Sequence, residues 1–277
     1  MYRKGQAVWD ALGSTGPAVL CLSGFASGNW MFQRWLAPLQ GFYRFILPEN
    51  RGMGQAPAAT APYGMDDLAA DALRLLDDLG IERCTVIGLS MGGFIAQRVL
   101  ALAPQRVTGL VLLCTSSGGD AFRPIFPLLS REQVEALYRL DPETRIRAAL
   151  SPHICPLLQE QYPEVFAEVL QQRLRHPEVP EQVLLQYDAV AEFLRHPQAL
   201  QHIACPTLIL SADQDLLVPV ANAALLATMI PKARLQVIAN TDHLFFLERA
   251  ATVSQLLREW LLDYDNTTHD SLAHRQS

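Results

Sequence analysis

Residues 84–104 constrain the fold more strongly than any other stretch of this chain. They start as an apolar, β-branched run, pass through Gly-Leu-Ser-Met-Gly-Gly at 88–93, and resume with a helical periodicity that stops at Pro104. Such a strand, tight turn and helix form the context in which the serine of Gly-x-Ser-x-Gly becomes a nucleophile. Gly88 and Gly92 fit, because side chains there would stand where strand and helix approach each other. A chance match in a glycine-rich loop is the alternative, which the flanking strand and helix disfavour.

Apolar runs alternate with helical patterns along most of the chain. Residues 63–80 form a strongly amphipathic helical pattern that ends at a glycine. Mostly apolar runs predict strands at 18–22, 43–48, 84–87, 107–114, 206–211 and 235–239. Those at 18–22 and 107–114 are typical of strands buried on both faces. This alternation predicts an α/β fold with a mostly parallel sheet and helices on both faces.

The pattern changes between residues 116 and 201. Strand-like runs stop there, and helical patterns separated by prolines cover 130–139, 142–150, 157–174 and 180–195. We interpret 116–201 as a helical cap inserted between two sheet strands, with 1–115 and 202–264 forming the α/β core. The polar residues 265–277 are expected to form a disordered tail after a last helix at 248–262.

Composition restricts the partners. The chain has 277 residues and a net charge of -6, which gives no sign of a nucleic-acid partner or an anionic membrane. No run is apolar enough to predict a membrane span, and residues 1–7 lack the apolar segment of a signal peptide. The five cysteines form no Cys-x-x-Cys pair, and the histidines of the predicted cap show no ligand spacing. We therefore expect a cytoplasmic protein without a metal or cofactor, and the oligomeric state stays open.

The stretch at 84–104 resembles the nucleophile elbow of the α/β-hydrolase superfamily, and the similarity runs from about Gly16 to Trp260. Members of this family carry their catalytic residues in the chain order Ser, Asp, His. The resemblance therefore implies a triad of Ser90, Asp215 and His243, each just past a predicted strand.

Two choices near the triad need the structure to decide them. Asp215 stands four residues before Pro219, as the acid commonly does in the family, and Asp213 is its competitor. Asp242 occupies the position before His243 where the family usually has glycine. Its carboxylate either raises the pKa of the catalytic imidazole or points to solvent.

The resemblance also implies an oxyanion hole built from two backbone N–H groups. These belong to Met91, directly after the nucleophile, and to Phe25, after the glycine of Ser23-Gly24. Most relatives have His-Gly where this chain has Ser23-Gly24, so the bracing of this loop has to differ.

The segment 49–54 is similar to the Asp-x-Arg-Gly-His-Gly loop of the family, with Glu49 and Met53 substituted. We expect Arg51 to hold this loop and Met53 to give the site mouth an apolar contact. The side chains expected to line the substrate pocket are those of Met53, Phe122, Phe126 and Leu244.

The scaffold looks most like enol-lactone hydrolases and related methyl-ester hydrolases and carboxylesterases. It therefore suggests a serine hydrolase that acts on a small or medium carboxylic ester or lactone and needs no cofactor. A thioesterase or a C–C bond hydrolase would use the same triad, and both stay open. A ligand-binding protein that keeps the triad, and a cofactor-free oxygenase or perhydrolase, are further alternatives. A serine rather than an aspartate at position 90 disfavours haloalkane dehalogenases and epoxide hydrolases.

Overall fold

An eight-stranded sheet forms the centre of the protein. The computed structural model describes residues 1–124 and 129–273, with side chains described as far as residue 263. The strands are β1 (Tyr2–Lys4), β2 (Ala7–Leu12), β3 (Ala18–Leu22), β4 (Arg44–Pro48), β5 (Cys84–Leu89), β6 (Val107–Leu113), β7 (Thr207–Ala212) and β8 (Ala233–Ile238).

The sheet is parallel apart from one edge. Its strands lie in the order β1-β2-β4-β3-β5-β6-β7-β8. The strands β3 to β8 pair in parallel, whereas β1 pairs with β2 and β2 with β4 in antiparallel fashion. The carboxyl ends of β3 to β8 therefore meet at one edge of the sheet, where open α/β sheets carry their functional loops. The predicted fold class is confirmed.

Helices cover both faces of the sheet. Within the described residues they are α1 (Gln33–Leu36), α2 (Met65–Asp78), α3 (Met91–Leu102), α4 (Arg131–Tyr138), α5 (Pro142–Ala149), α6 (Leu158–Gln161), α7 (Pro163–Arg175), α8 (Pro180–Arg195), α9 (Val220–Met229), α10 (Phe245–Glu248) and α11 (Ala250–Ala273). Short 3-10 turns occur at Asn29–Phe32, Ala37–Leu39, Pro104–Arg106, Gly119–Ala121 and Leu200–His202. None of the helices in the described ranges is both long and apolar enough to span a membrane.

Alternating side chains of the central strands divide the core into two layers. In β3, Val19 and Cys21 belong to the core cluster that includes α1 and α11 on one face, and Leu20 and Leu22 belong to the cluster that includes α2, α3 and α9 on the other. Because both sets are apolar, the strand appears in the sequence as a continuous apolar run. This burial on both faces holds the strand ends rigidly, which is what a site built from loops at those ends requires.

The helices α4 to α8 belong to one segment between β6 and β7, residues 116–201, which we call the helical segment. Its helices begin and end close to the predicted positions, except that the expected helix at 157–174 is divided into α6 and α7 before Pro163. Proline has no N–H for the preceding turn, so it starts a new helix instead of continuing the old one. The side chain of Phe126, expected to line the pocket, lies outside the described residues.

Three features of the fold differ from expectation. The sequence predicts one helix from about Asn29 to Leu39, but the structure has a succession of 3-10 turns around the four-residue α1, and Pro38 lies in the last of them. The hairpin strand β1 and the helix α9 were not predicted, because the first is exposed and the second is apolar without clear periodicity. The backbone is also helical over 265–273, where a disordered tail was expected. No glycine or proline follows residue 249 to stop α11. Residues 274–277 lie outside the described part of the chain.

Candidate active site

Ser90 lies in a strained turn between β5 and α3. Its backbone has φ 54° and ψ -117°, a conformation that non-glycine residues rarely adopt. The Ser90 N–H donates to the carbonyl of Leu113 at 2.9 Å, which ties the turn to the end of β6. The side chain is half-buried. The turn therefore presents the Ser90 hydroxyl at the carboxyl edge of the sheet, as the sequence predicts.

The two glycines of the motif allow this turn to form. A Cβ atom on Gly88 would lie against the backbone of Gly92 and Gly93, and one on Gly92 would overlap the carbonyl of Leu22 in β3. Real Cβ atoms do not approach backbone atoms so closely, so any larger residue would push α3 away from the sheet. The motif spacing therefore reflects the close approach of helix and strand.

Backbone strain is concentrated at the same edge of the sheet. In the described part of the chain, the non-glycine residues with positive φ are Ala26, Ser90, Cys114 and Asn240. They follow β3, β5, β6 and β8 respectively, all at the carboxyl end. Such conformations cost about 1–3 kcal/mol each and persist where the surrounding structure enforces them, often at functional sites. Their clustering marks this edge as the candidate active site, independently of any motif.

Asp215 and His243 meet in a buried hydrogen bond at this edge. The Nδ1 atom of His243 lies 2.8 Å from Oδ2 of Asp215, and the Asp215 carboxylate is buried. Its other oxygen, Oδ1, accepts the backbone N–H groups of Leu217 at 2.9 Å and Val218 at 2.8 Å. Both carboxylate oxygens therefore have partners, which fixes the orientation of the carboxylate and, through it, the imidazole ring.

The structure separates Asp215 from its competitor Asp213. Asp213 is exposed, and its carboxylate accepts the backbone N–H of Thr241 at 3.3 Å. It thereby links the loop after β7 to the loop after β8 without reaching the imidazole. Asp215 is therefore the carboxylate that is paired with His243.

Opposing influences act on the imidazole of His243. Burial alone lowers the pKa of His243, whereas the charge and hydrogen bond of Asp215 and the charge of Asp242 raise it. The positive charge of Arg173 also lowers it, but the carboxylates prevail, and the pKa of His243 is raised above its ordinary value.

Two backbone N–H groups beside Ser90 are free to bind an anion. Met91 is the first residue of α3, so its N–H has no acceptor within the helix. In the described residues, the N–H of Phe25 likewise donates to no carbonyl or side chain. Gly24, which precedes Phe25, is so close to Ser90 that a Cβ added to it would lie 3.4 Å from the Ser90 Cβ. The sequence-predicted donors therefore belong to two loops that meet at the serine.

A network of polar side chains braces the loop that contains Phe25. The Nδ2 atom of Asn50 donates to both the carbonyl and the hydroxyl of Ser23, each at 3.3 Å. The hydroxyl of Ser27 donates to the carbonyl of Gly24 at 3.1 Å. From the helical segment, Oε1 of Gln186 accepts the N–H of Ala26 at 2.6 Å. These bonds hold the loop in the absence of the family histidine.

The remaining sequence-predicted residues differ in their surroundings. Arg51 binds the carboxylate of Asp71 on α2, which confirms its expected role in holding the loop. Met53 is buried in a small apolar cluster with Ala26 and residues of α4 and α8. Leu244 packs into the main core, and Phe122 is half-buried. Of the described pocket candidates, Met53 alone shares a cluster with the Phe25 loop.

The family of the chain follows from its sequence as a whole. A family model described as "alpha/beta hydrolase fold" matches residues 17–250. The chain belongs to the α/β-hydrolase fold family. The match spans β3 to the start of α11, and so includes the three strand-end loops that carry Ser90, Asp215 and His243.

Several α/β hydrolases, some with solved structures, are similar to this chain over most of its length. It is 28% identical to "Putative non-heme bromoperoxidase BpoC" of Mycobacterium tuberculosis, over 89% of the chain and 94% of that protein. It is 29% identical to "3-oxoadipate enol-lactonase 2" of Acinetobacter baylyi, over 84% of each. The structure of a thermophilic esterase from Thermogutta terrifontis superposes with a TM-score of 0.78 at 26% identity, covering 93% of both chains. These relatives differ in reaction, so they establish the family and leave the substrate open.

Asp242 makes contacts that sequence reasoning left undecided. This α/β hydrolase buries the carboxylate completely, and its Oδ2 accepts the N–H groups of Leu157 and Leu158 from the helical segment, each at 3.2 Å. Its Oδ1 accepts the N–H of Leu244 at 3.2 Å, and its own N–H donates to Oε2 of Glu248 at 3.2 Å. Asp242 therefore connects the helical segment to the loop of His243, and it does not point to solvent.

Glu248 shares the buried environment of Asp242. Burial, reinforced by a hydrogen bond to Asp242 and by the negative charge of Asp242, raises the pKa of Glu248 well above its ordinary value. The raised pKa favours the protonated form of Glu248, which lies beside the carboxylate of Asp242 and its three backbone N–H donors. The α/β hydrolase thus has a second buried carboxylate beside the imidazole of His243, in addition to Asp215.

Proposed function

We propose that the chain is a serine hydrolase that cleaves a small or medium carboxylic ester or lactone through an acyl-enzyme on Ser90. The observation that carries this proposal is the buried hydrogen bond between Asp215 and His243, at the same sheet edge as the strained Ser90 turn. A serine hydroxyl is a poor nucleophile at neutral pH and needs a positioned base. An imidazole fixed by a buried carboxylate meets that need.

In the proposed reaction, Ser90 attacks the carbonyl carbon while His243 takes the hydroxyl proton on Nε2. Asp215 keeps the other proton of the imidazole on Nδ1, because Oδ2 is an acceptor 2.8 Å away. His243 then gives its proton to the leaving alcohol oxygen as the C–O bond breaks. A water molecule repeats the sequence and releases the acid. His243 has to be neutral at the start of both acylation and deacylation, so its pKa sets the lower pH limit of activity.

The N–H groups of Phe25 and Met91 would stabilise the negative charge that forms on the carbonyl oxygen. Each donor of this kind contributes on the order of 3 kcal/mol when it is aimed at the developing oxyanion. The position of the Phe25 N–H depends on the bracing of its loop by Asn50 and Gln186, whereas the N–H of Met91 is positioned by the Ser90 turn. The helical segment thereby supports the proposed oxyanion hole, in addition to its proposed role as a cap over the site.

The relatives support an ester or a lactone as the substrate class. The similar proteins whose names state a reaction include an esterase and an enol-lactonase, and both reactions fit an oxygen leaving group. Thioester and C–C bond hydrolysis would place the same groups around the same carbonyl. A direct comparison of substrates therefore tests the proposal.

The test combines turnover with covalent labelling. We expect the protein to hydrolyse p-nitrophenyl esters between acetate and decanoate, or a simple lactone, more rapidly than the matching thioesters. A fluorophosphonate should abolish this activity, and peptide mass spectrometry should find the label on Ser90. Rapid ester turnover by protein that carries the label, or a label confined to another residue, would contradict the mechanism. Labelling without ester turnover would favour the thioester and C–C bond alternatives.

A shift in the pH profile tests the second carboxylate. Activity should rise with pH as His243 loses its proton, because the neutral imidazole is the base. Removing the charge of Asp242 lowers the pKa of His243, so the acid limb of kcat/KM should move to lower pH. In Asp242→Asn alone, Glu248 becomes easier to ionise and replaces part of the charge. The double variant Asp242→Asn/Glu248→Gln should therefore show the larger shift.

Glu248→Gln is the matched control for this measurement, because it removes a neutral carboxyl group and leaves the charge on Asp242. Its acid limb should stay close to that of the wild type. An unchanged acid limb in the double variant would show that Asp242 acts only by holding the helical segment. The limb should be measured as kcat/KM, which reports on the free enzyme.

A further inference from the structure

A cluster of two arginines and one glutamate lies within the helical segment. Arg145 on α5 binds Oε2 of Glu178 at 3.0 Å, and Arg173 on α7 reaches only to 3.8 Å from Oε1 of the same carboxylate. Their side chains are 9%, 18% and 6% exposed for Arg145, Arg173 and Glu178 respectively. Two guanidinium groups therefore share one carboxylate away from bulk water, and one positive charge has no carboxylate of its own.

Tyr138 does not balance this charge. Its ring packs under Arg145, with the guanidinium carbon 4.3 Å from the ring centre. Burial, assisted by the negative charge of Glu178, raises the pKa of Tyr138 to about 12, so the phenol is neutral at physiological pH. In the described ranges, no carboxylate other than Glu178 lies within 4 Å of Arg173.

The hydrogen-bonding capacity of Arg173 is also unused. Its Nε is buried and has no partner among the described residues. A guanidinium group carries five N–H donors, and a buried donor without an acceptor is unfavourable because it has lost its hydrogen bonds to water. Arg145 differs, because it has a close carboxylate and an aromatic ring. Arg173 is therefore the member of the cluster that is built to accept a further partner.

Arg173 lines a cavity beside the proposed oxyanion loop. The cavity has a volume of about 130 Å³, and its walls include Ala26, Ser27, Glu49, Gln172, Arg173 and His176. Ala26 and Ser27 directly follow Phe25, and the positive charge of Arg173 lowers the pKa of His243. Ser90 and His243 do not line the cavity. The cavity is therefore adjacent to the loop of Phe25 and separate from Ser90 and His243. A substrate that reaches both places would have its reacting group at Ser90 and another part in the cavity.

The acidic wall of the cavity leaves room for an anion. Glu49 accepts the backbone N–H of Asn29 at 3.2 Å, and burial raises its pKa to about 7. In its protonated form Glu49 is a hydrogen-bond donor that does not repel a carboxylate. The wall also contains Asp10 and Glu178, whose carboxylates pair with the N-terminal ammonium group at 2.8 Å and with Arg145 at 3.0 Å. The groups left to bind an anion are the guanidinium of Arg173, whose nearest carboxylate oxygen is 3.8 Å away, and the amide of Gln172. The volume of the cavity is enough for a carboxylate on a short chain, since one water occupies about 30 Å³ in the liquid.

We propose that Arg173 binds a carboxylate group of the substrate, so that the natural ester or lactone is an anion with its charge a few bonds from the scissile carbonyl. The inference rests on the proposed hydrolase function and names its substrate class. It makes Arg173 a specificity-determining residue, because a neutral ester of the same length would leave the guanidinium without its partner.

The test compares two esters of the same acyl length. Mono-p-nitrophenyl glutarate carries a terminal carboxylate, and p-nitrophenyl pentanoate is its neutral counterpart. The ratio of their kcat/KM values, anionic over neutral, should exceed about ten in the wild type and fall about 10- to 100-fold in Arg173→Gln. The fall should come mainly from KM of the glutarate ester. Arg173→Lys keeps the charge and should retain a larger ratio than Arg173→Gln.

Arg175→Gln is the matched control, because Arg175 is an exposed arginine on the same helix and lines no part of the cavity. Its ratio should equal that of the wild type. A wild type that prefers the neutral ester, or a ratio that Arg173→Gln leaves unchanged, overturns the inference while the hydrolase function stands. An equal loss for both esters also overturns it, because a purely structural role would have that effect.

Binding separates this inference from the failure of the proposed function. If the wild type hydrolyses neither ester, calorimetric titration with glutarate decides between the outcomes. Saturable binding to the wild type and to Arg175→Gln, weakened at least tenfold in Arg173→Gln, supports the anion site without turnover. No binding to the wild type overturns it. If Arg173→Gln does not fold, the inhibition constant of glutarate against hydrolysis of the pentanoate ester is measured in the wild type and in Arg173→Lys. Competitive inhibition that is weaker in Arg173→Lys supports the inference, and no inhibition of the wild type overturns it.

Discussion

Ser90→Ala is expected to lower kcat for ester hydrolysis by about 10⁵- to 10⁶-fold, the scale seen when the nucleophile of a serine triad is removed. The loss is this large because no other group can form the acyl-enzyme, whereas His243 and the backbone donors remain. A residual rate above that in water should persist, because the oxyanion donors and substrate binding still act. The measurement is kcat on the best p-nitrophenyl ester, with protein concentrations high enough to detect the residual rate.

The control for Ser90→Ala is Ser254→Ala, which removes the hydroxyl of a buried serine on α11. It should keep the activity of the wild type. Full activity in Ser90→Ala would exclude the acyl-enzyme mechanism. A different outcome is a wild type that turns over no ester, thioester or lactone, together with a Ser90→Ala variant that binds a ligand as well as the wild type does. That combination would favour the alternative of a ligand-binding protein.

The positions of the proposed catalytic residues were predictable because each lies close in sequence to a recognisable strand. Ser90 follows β5 directly, and Asp215 and His243 come a few residues after β7 and β8. Parallel strands bring their carboxyl ends together, so chain position alone predicts that these loops meet. Sequence reasoning could not choose rigorously between Asp213 and Asp215, because both follow the same strand. The choice depends on which carboxylate is buried beside the imidazole, and that is a property of the folded loop.

The residues that support the site were not predictable from local pattern. Gln186 binds the N–H of Ala26 across 160 positions of sequence, and Asp242 binds Leu157 across 85. Nothing in a helix such as α8 distinguishes a glutamine that braces a loop from one that faces solvent. The same is true of Arg173, since its significance lies in what it fails to contact. Only the arrangement of the helical segment against the strand-end loops reveals these roles.

The role of Asp215 as the partner of His243 is tested most sharply by Asp215→Asn, for which we expect kcat to fall about 10⁴-fold. Oδ1 of Asp215 accepts two backbone N–H groups, from Leu217 and Val218. In the variant, the amide oxygen has to stay with these two donors, so the NH₂ group faces His243. The Nδ1 atom then has to accept a hydrogen bond, and the proton of the neutral imidazole moves to Nε2. An imidazole in this tautomer cannot take the proton of Ser90.

The move of the imidazole proton from Nδ1 to Nε2 predicts more than a loss of rate. The nitrogen chemical shifts of His243 should show the neutral ring protonated on Nε2 in Asp215→Asn and on Nδ1 in the wild type. The acid limb of kcat/KM should also move to lower pH, because the charge of Asp215 that raises the pKa of His243 is gone. Asp213→Asn is the control, since Asp213 binds a backbone N–H of the neighbouring loop and no imidazole. A large loss in Asp213→Asn, with Asp215→Asn close to the wild type, would transfer the acid role to Asp213. It would also mean that the hydrogen bond between Asp215 and His243 does not direct the proton.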